Sequence, residues 1–492
     1  MKLKKLALLG GLLFAAASSQ SWAVSPGKCD PAVGGPFDID IYLTGASAPQ
    51  AILGGIAAEI FTSGFTTVYD DGTPTGTKGA AYRAYCGTLN SLAGALNGKK
   101  VRFLNRAKGG SVFGVNPVAT DQPIANLDFA TCVTSVTAGR DFECAEKGDD
   151  LNAANPNNRK PDFGVSDVEP TMFKDPLNVE FGQVQLTPTQ AAKFTGTQKA
   201  SNQVIFGLPL TANVPLTSLS RTQMASILMG NFSDWSQVDA SLAAGPITIC
   251  RRVQGSGTQA TFNHYFLNFP CTVGNIAQTG NSVPLRMADS AGYNVTVAAG
   301  TPADPIQIDP SAGVTIVENP GSGDVRTCLQ KANQGQDYSF KGDDGRSYKV
   351  LFSRAGGPYR ATGVLSLDSL NKGGGGSVWG TAGVDWNFVR LNGVDGTQAN
   401  AQKGLYDFVM EQSIQYKNDK TYPTIDYKPF INLFIAEAQK ETILRAISDV
   451  SVRGGVLGLP GVQGNCIGTA PACNTSNWTR NGNSCSPALL VQ

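Results

Sequence analysis

The sequence predicts an α/β fold, because at three places a short strand pattern leads into a turn of small residues. The strand patterns cover residues 39–43, 101–104 and 247–250, and the turns after them include residues 44–47, 109–111 and 255–258. The first turn leads into a helical pattern over residues 50–61. Repeated strand–turn–helix units are typical of parallel sheets, and ligands bind at the carboxyl ends of such strands.

The third turn is the most informative one, because it lies in the sequence Arg-Arg-Val-Gln-Gly-Ser-Gly-Thr, residues 251–258. Phe262 and Phe266 stand one helical turn apart, so a helix is predicted to begin near Ser256 and Thr258. The first N–H groups of a helix are unpaired, and the positive end of its dipole lies there. With the forked guanidinium of an arginine just before it, this turn predicts a site for a tetrahedral anion.

Plainer interpretations of the same residues stay open. A Gly-Ser-Gly-Thr turn also serves as an ordinary helix cap, and Arg252 could instead form a surface salt bridge. We expect that second role for Arg251, because neighbouring residues at the end of a strand point to opposite faces. A catalytic pair of Ser256 and His264 is disfavoured, since their separation along a helix is about 12 Å.

The first residues have the pattern of a secretory signal peptide. Three lysines precede an apolar run over residues 6–17, and Ser21-Trp22-Ala23 fits a small-x-small cleavage site. The sequence therefore predicts a signal peptide at residues 1–23 and an exported mature chain from Val24, in the periplasm or outside the cell. No later stretch is apolar for the length that spans a membrane, so no span is expected in the mature chain.

Composition narrows the function classes. The chain has 39 basic and 38 acidic residues, a balance that excludes a basic field for nucleic acid or an anionic membrane. A single histidine excludes a multi-histidine metal site, and no feature predicts a cofactor. Ten cysteines in an exported chain favour disulfides, and we expect the local pairs Cys132 with Cys144 and Cys250 with Cys271.

Other segments are predicted from their composition and period. Stretches rich in Gly, Asn, Asp and Pro predict surface insertions, and two amphipathic patterns predict further helices. The insertions are residues 70–79, 148–161, 300–312 and 371–383, and the helical patterns are residues 219–230 and 430–448.

Four segments, in this order, resemble loops of the periplasmic phosphate-binding proteins of the phosphate ABC transporter. Residues 44–49, Thr-Gly-Ala-Ser-Ala-Pro, are similar to the first loop of that family with one step shortened, and Gly110-Ser111 resembles the second. Residues 162–167, Asp-Phe-Gly-Val-Ser-Asp, match the third loop almost residue for residue, and residues 252–258 resemble the fourth. Residues 321–324 have a fainter similarity to a later loop of that family, and residues 425–434 have one to its last crossing between the lobes.

The resemblance implies a type II periplasmic binding protein fold, in which two crossover segments join two α/β lobes around a ligand cleft. It assigns residues 24–207 plus 424–492 to lobe I, with insertions, and residues 208–423 to lobe II. It implies no catalytic residue and no metal ligand. The residues that it places on a bound phosphate are Ser47, Ala48, Ser111, Asp167, Arg252, Ser256, Gly257 and Thr258.

The resemblance gives Asp167 a distinct role. A carboxylate repels an anion unless the anion carries a proton to donate, as monohydrogen phosphate does and sulfate at neutral pH does not. Asp167 would then select phosphate over sulfate. The plain alternative for Asp167 is an acid that caps a turn, and for Ser47 and Ser111 it is a turn hydroxyl.

Two departures from the family pattern bear on affinity. Gln254 replaces an acid that pairs with the binding arginine in the family, so Arg252 is expected to be held less rigidly. Ala48 replaces an aromatic residue whose backbone N–H is a donor in the family.

Residues and resemblance together predict an exported binding protein rather than an enzyme. Its predicted partners are inorganic phosphate and an ABC transporter permease in the inner membrane. Two alternatives stay open. One is a secreted surface or matrix protein that reuses the fold. The other is a secreted hydrolase of phosphate esters, against which the scarcity of histidine argues.

Overall fold

The computed structural model describes residues 24–73, 78–150, 152–271, 284–294, 299–376, 385–468, 470 and 472–491. The predicted signal peptide lies outside these residues, and so do residues 74–77, 151 and 377–383 of the predicted insertions. Among the described helices, none has the length and apolar character needed to cross a membrane.

The elements of the first part of the chain end with a long strand. They are α1 (Pro31–Gly34), β1 (Ile39–Gly45), α2 (Gln50–Ile60), β2 (Thr66–Asp70), β3 (Tyr82–Thr88), β4 (Lys100–Arg106), α3 (Asn116–Thr120), β5 (Asn126–Leu127), β6 (Val133–Thr134), β7 (Phe142–Cys144), β8 (Glu146–Lys147), β9 (Phe163–Ser166), α4 (Pro188–Ala191) and β10 (Lys199–Thr211).

The elements of the middle and last parts follow. Those of the middle part are β11 (Ser218–Leu219), α5 (Arg221–Leu228), α6 (Trp235–Val238), β12 (Thr248–Arg252), α7 (Gly257–Leu267), β13 (Tyr293–Asn294), β14 (Ile306–Ile308), β15 (Thr315–Asn319), α8 (Ser322–Gln334), β16 (Tyr338–Lys341), β17 (Ser347–Val350), β18 (Ala361–Gly363), β19 (Leu365–Ser366), β20 (Trp386–Leu391) and α9 (Gln398–Gln402). Those of the last part are β21 (Val409–Tyr416), α10 (Lys428–Ala438), α11 (Glu441–Arg445), α12 (Val450–Gly454), β22 (Val456–Gly458), β23 (Trp478–Thr479) and β24 (Leu489–Leu490).

Two parallel three-stranded units form the centres of two lobes. In lobe I, β1 lies between β4 and β9 and is parallel to both. In lobe II, β12 lies between β15 and β18 and is again parallel to both. Each unit has the strand order second, first, third, and an antiparallel strand follows, β21 in lobe I and β10 in lobe II. The fold is therefore the predicted two-lobe α/β fold.

The strands β10 and β21 join the lobes. They pair with each other in antiparallel fashion, and β10 continues into lobe II, where it pairs with β18 and β20. The expected crossing at residues 425–434 is wrong, because Phe430, Ile431 and Phe434 recur at helical spacing and are buried on α10. The return crossing is β21, and the lobe boundaries given above stay a prediction.

Most of the other predicted elements are confirmed. The three strand patterns form β1, β4 and β12, and the helical patterns form α2, α5 and α7. Residues 430–448 fall in two helices instead of one, because Lys440 has an extended backbone between α10 and α11. The predicted insertion at residues 300–312 is wrong in part, since Ile306 and Ile308 are buried in β14, which pairs with β13 and β17.

Lobe I is larger than a minimal lobe because β3, β2, β7 and β6 extend its sheet beyond β4. These strands have their own small core around Val68, Tyr82 and Leu104, which includes four of the cysteines. The insertions expected in lobe I thus include strands that complete one edge of its sheet.

Five disulfides link Cys29 to Cys86, Cys132 to Cys144, Cys250 to Cys328, Cys271 to Cys485 and Cys466 to Cys473. The predicted Cys132 to Cys144 bond is confirmed. The predicted pairing of Cys250 with Cys271 is wrong, because α8 packs on β12 and brings Cys328 to Cys250.

The C-terminal segment, residues 474–491, runs back to the crossing strands. It donates hydrogen bonds to Glu411 of β21 and to Glu169, which follows β9 in lobe I. Within it, Cys485 is bonded to Cys271, just after α7 of lobe II. The segment therefore ties lobe I, a crossing strand and lobe II together.

Candidate functional site

A cleft of about 1480 Å³ lies between the lobes, where the carboxyl ends of their parallel strands meet. Lobe I contributes residues that follow β1, β4 and β9, and lobe II contributes residues that follow β12 and β15. The wall carries both signs of charge, including Asp167 from lobe I and Arg252 from lobe II.

The first turn of α7 borders this cleft. Gly255 has a φ of +82°, which favours glycine, and it turns the chain from β12 into the helix. Ser256 is the N-cap, and its hydroxyl accepts a hydrogen bond from the N–H of Gln259 at 3.4 Å. The cap role that the sequence left open is thus present, and Thr258, two residues later, lines the cleft.

Arg252 is buried and is held on three sides. Its Nε donates to the carbonyl of Asn319 at 3.2 Å, its Nη2 to the carbonyl of Pro320 at 2.6 Å, and its Nη1 to the Ser322 hydroxyl at 3.2 Å. The expectation that Gln254 leaves Arg252 loosely held is wrong, because the loop after β15 supplies these acceptors.

Carboxylates surround the Arg252 guanidinium. Burial lowers the pKa of Arg252 from its ordinary value, and the nearby acids act against that shift. These acids are Asp343, Asp167, Asp324 and Glu180. Since arginine keeps its charge in proteins, the guanidinium is a fixed positive charge among these four acids.

Asp167 follows β9 and is buried with two neighbours from other elements. Its Oδ1 accepts a hydrogen bond from Nε2 of Gln412 on β21 at 2.9 Å. Its backbone N–H donates to the Ser111 hydroxyl at 3.2 Å. Burial raises the pKa of Asp167, while Gln412 and the charge of Arg252 act in the opposite direction.

The two lobes touch beside these groups. The N–H of Val112 in lobe I donates to the carbonyl of Gly255 in lobe II at 2.9 Å. A Cβ on Gly257 would lie 2.3 Å from the Ser111 hydroxyl and 2.6 Å from the Asp167 Cβ, so only glycine permits this approach. Gln254 adds a hydrogen bond from its Nε2 to the carbonyl of Pro176 in lobe I at 2.6 Å.

The structure therefore brings six predicted residues together: Ser111, Asp167, Arg252, Ser256, Gly257 and Thr258. Of these six, Asp167, Arg252 and Thr258 line the cleft. The other two predicted residues, Ser47 and Ala48, line it as well, but the Ser47 side chain is exposed and Ala48 is half-buried. The role of each of the eight in binding a ligand stays a prediction.

Arg251 forms a salt bridge, as expected, but not at the surface. It is buried, and its Nη2 lies 2.7 Å from Oε1 of Glu318. Arg286 lies at the same distance from that oxygen. Glu318 on the neighbouring strand thus neutralises Arg251, which leaves Arg252 as the arginine of this pair at the cleft.

Three residues of the site were missed in the sequence. Gln412 lies on the returning strand, Glu180 in an irregular segment, and Asp343 in the turn between β16 and β17. The Gly-Asp-Asp-Gly sequence around Asp343 predicts a hairpin turn, but nothing in it indicates what the turn faces.

His264 takes no part in the cleft. Burial lowers its pKa to about 4, and its Nδ1 lies 3.3 Å from Sγ of the disulfide-bonded Cys271. Within the described part of the chain, no group of three or more His, Cys, Asp or Glu residues is arranged to hold a metal ion.

Comparison with solved structures finds similarity over most of the chain at low identity. An ABC-type phosphate transport receptor from Vibrio cholerae is 12% identical over 82% of this chain and 95% of that chain, with a TM-score of 0.37. PstS from Borrelia burgdorferi is 12% identical over 86% and 99%, with a TM-score of 0.36. A high affinity periplasmic phosphate-binding protein bound with phosphate is 15% identical over 84% and 89%, with a TM-score of 0.36. No protein-family model and no curated protein matches the chain.

Proposed function

We propose that this protein binds inorganic phosphate between its lobes and serves as the exported solute receptor of a phosphate ABC transporter. The observation that carries the proposal is the buried Arg252, held by three hydrogen bonds beside Asp167 and the first turn of α7. The sequences of residues 162–167 and 252–258, which resemble two phosphate-binding loops, support the same ligand.

A phosphate that enters this cleft loses water and must gain fixed partners. The Arg252 guanidinium offers charge, the first turn of α7 offers backbone N–H groups, and Ser111 and Thr258 offer hydroxyls. Asp167 accepts the proton of monohydrogen phosphate. Contacts such as Val112 to Gly255 form only when the lobes are close, so binding and closure are coupled by a hinge at β10 and β21.

Isothermal titration of the phosphate-stripped mature protein with phosphate and then with sulfate tests this proposal. Tight one-to-one binding of phosphate without sulfate heat supports it. If a folded protein gives no heat with either anion, the proposal is wrong and the surface-protein alternative is favoured. Turnover of phosphate esters, with or without added metal, would instead favour a hydrolase.

The variant Asp167→Asn tests the source of selectivity. An amide does not repel a fully ionised anion and can donate to it, so we expect sulfate to bind at least about tenfold more tightly than to the wild type. Phosphate affinity falls at the same time because its proton loses an acceptor. Competition titrations of both anions measure the ratio of the two affinities.

Asp162→Asn is the matched control, because Asp162 begins the same six-residue motif. Its carboxylate forms an ion pair with Lys420 at 2.8 Å and accepts the N–H of Tyr42 at 2.9 Å. We expect it to lose stability without a change in anion selectivity. Equal rejection of sulfate by Asp167→Asn and the wild type would refute the role of Asp167.

A further inference from the structure

A second pair of acidic side chains meets across the cleft, one from each lobe. Glu180 belongs to a segment that lobe I anchors, since Asn116 Nδ2 donates to the carbonyl of Val184 at 2.6 Å. Asp343 belongs to the turn between β16 and β17, which Tyr338 fastens to lobe II by a 2.9 Å hydrogen bond to Asn319. Both residues line the cleft, and their side chains are in hydrogen-bond contact with each other.

This contact lies against the loop that carries Arg252. Glu180 is 5% exposed, and a Cβ on Gly255 would lie 2.5 Å from its Oε2. Within the described chain, Oε2 of Glu180 and Oδ2 of Asp343 are both buried and have no hydrogen-bond donor. Two carboxyl groups in contact, without donors for these oxygens, are stable only if a proton lies between them.

The charged groups around Glu180 and Asp343 do not remove the need for a proton between the two carboxyl groups. Arg252 and Arg106 act on Glu180, but the three hydrogen bonds of Arg252 go to the loop after β15. Around Asp343, Arg252 is opposed by the further acids Asp324 and Asp344. Burial and then the neighbouring Asp343 raise the pKa of Glu180 well above its usual range, and burial also raises the pKa of Asp343.

We propose that Glu180 and Asp343 share one proton when the lobes are closed, so that binding of the anion takes up a proton that the open protein does not hold. The proposal rests on the proposed function, and it adds that anion binding is coupled to the uptake of a proton. When the lobes separate, each carboxyl group meets water and ionises at neutral pH. The shared proton removes one negative charge from the surroundings of Arg252, which favours an anion there.

The sign of the pH dependence follows from the difference in bound protons between the closed and the open state. Because the closed state holds one more proton than the open state, affinity for the anion weakens as pH rises above the ordinary pKa of a carboxyl group. The limit is about tenfold for each pH unit. The dependence is absent at low pH, where the open state holds the proton too.

Glu180→Gln removes the shared proton but keeps the shape, since the amide donates a hydrogen bond to Asp343. Titration with phosphate in buffers of different ionisation enthalpy gives the number of protons taken up on binding. We expect the wild type to take up about 0.5–1 proton more than Glu180→Gln near pH 7. The variant serves as the reference because phosphate itself titrates in this range, and Asp343→Asn is expected to behave alike.

Asp344→Asn is the control, because Asp344 is the adjacent acid and accepts a hydrogen bond from Tyr348 at 2.6 Å. We expect it to keep the proton uptake of the wild type. Equal proton uptake by the wild type and Glu180→Gln would overturn the proposal.

A measurement without phosphate separates this proposal from the proposed function. Since closure itself takes up the proton, the closed fraction of the phosphate-free wild type falls as pH rises, relative to that of Glu180→Gln. We expect small-angle X-ray scattering without phosphate to show the wild type more open than the variant at about pH 8, with a smaller difference at about pH 5. A difference that does not change with pH would overturn the shared proton, whereas failure of phosphate to bind would overturn only the proposed function.

Discussion

Replacement of Arg252 by alanine is expected to weaken phosphate binding by at least about 100-fold, which corresponds to about 2.8 kcal/mol. The guanidinium is buried and fixed by the loop after β15, so its charge is held at one place beside Asp167 and the first turn of α7. Its removal also leaves Asp167 and the other cleft acids without their main counter-charge. Sulfate and phosphate affinity should therefore both fall, which distinguishes this variant from Asp167→Asn. Titration calorimetry measures the loss.

Arg252→Lys separates charge from geometry. A lysine keeps the positive charge but lacks the fork that reaches the carbonyls of Asn319 and Pro320 together, so we expect only partial recovery of affinity. Arg390→Ala is the control, since Arg390 is an exposed residue whose ion pair with Asp395 spans 3.0 Å. If Arg252→Ala binds phosphate as tightly as Arg390→Ala does, the anion does not bind at this site.

The parts of this structure that could be predicted are those that depend on a short segment of the sequence. The strand at residues 39–43 and the helix start near Ser256 depend on local spacing and capping, and both are present as predicted. The clustering of Ser111 with Asp167 was also predictable, because they follow β4 and β9, two strands of one parallel unit, and such strands bring the loops at their carboxyl ends together. The resemblance of those loops to one family indicated which of them belong to the cleft.

The parts that the sequence did not predict depend on packing between distant segments. Cys328 reaches Cys250 only because α8 lies on β12, a fact that no spacing of cysteines reveals. Likewise, Arg252 is held by a loop some seventy residues away, so the loss of an acid at Gln254 did not loosen it. Glu180 and Asp343 come from different lobes and from segments without a regular period, and their contact depends on closure.

The largest loss of stability is expected from replacement of Glu411, which fastens the C-terminal segment to β21. Oε1 accepts the Thr479 hydroxyl at 2.6 Å and the Arg480 N–H at 2.7 Å, and Oε2 accepts the Gly482 N–H at 2.7 Å. Hydrogen bonds to a buried charged group contribute about 1.5–3 kcal/mol each, and their loss leaves donors unpaired. We expect Glu411→Ala to lower the free energy of unfolding by about 3–5 kcal/mol.

Thermal unfolding and limited proteolysis measure this effect. The melting temperature should fall by roughly 5–10 °C, and cleavage should appear within the C-terminal segment. Glu59→Ala on α2 is the control, because Glu59 is exposed. Glu411→Gln keeps one acceptor oxygen and should lie between the two. If Glu411→Ala unfolds at the temperature of Glu59→Ala, the segment is not held by this carboxylate.

Glu411→Ala also tests whether the C-terminal segment helps to hold Asp167 in the cleft. Gln412, the next residue of β21, donates the hydrogen bond that holds Asp167, and Cys485 keeps the freed segment attached to lobe II near the end of α7. When Glu411 no longer fixes β21 against the segment, Gln412 is held less rigidly, and so is Asp167. We therefore expect Glu411→Ala to weaken phosphate binding severalfold, even at temperatures where it is fully folded. Unchanged affinity in a destabilised variant would show that Asp167 is held by Ser111 and its own strand without help from the C-terminal segment.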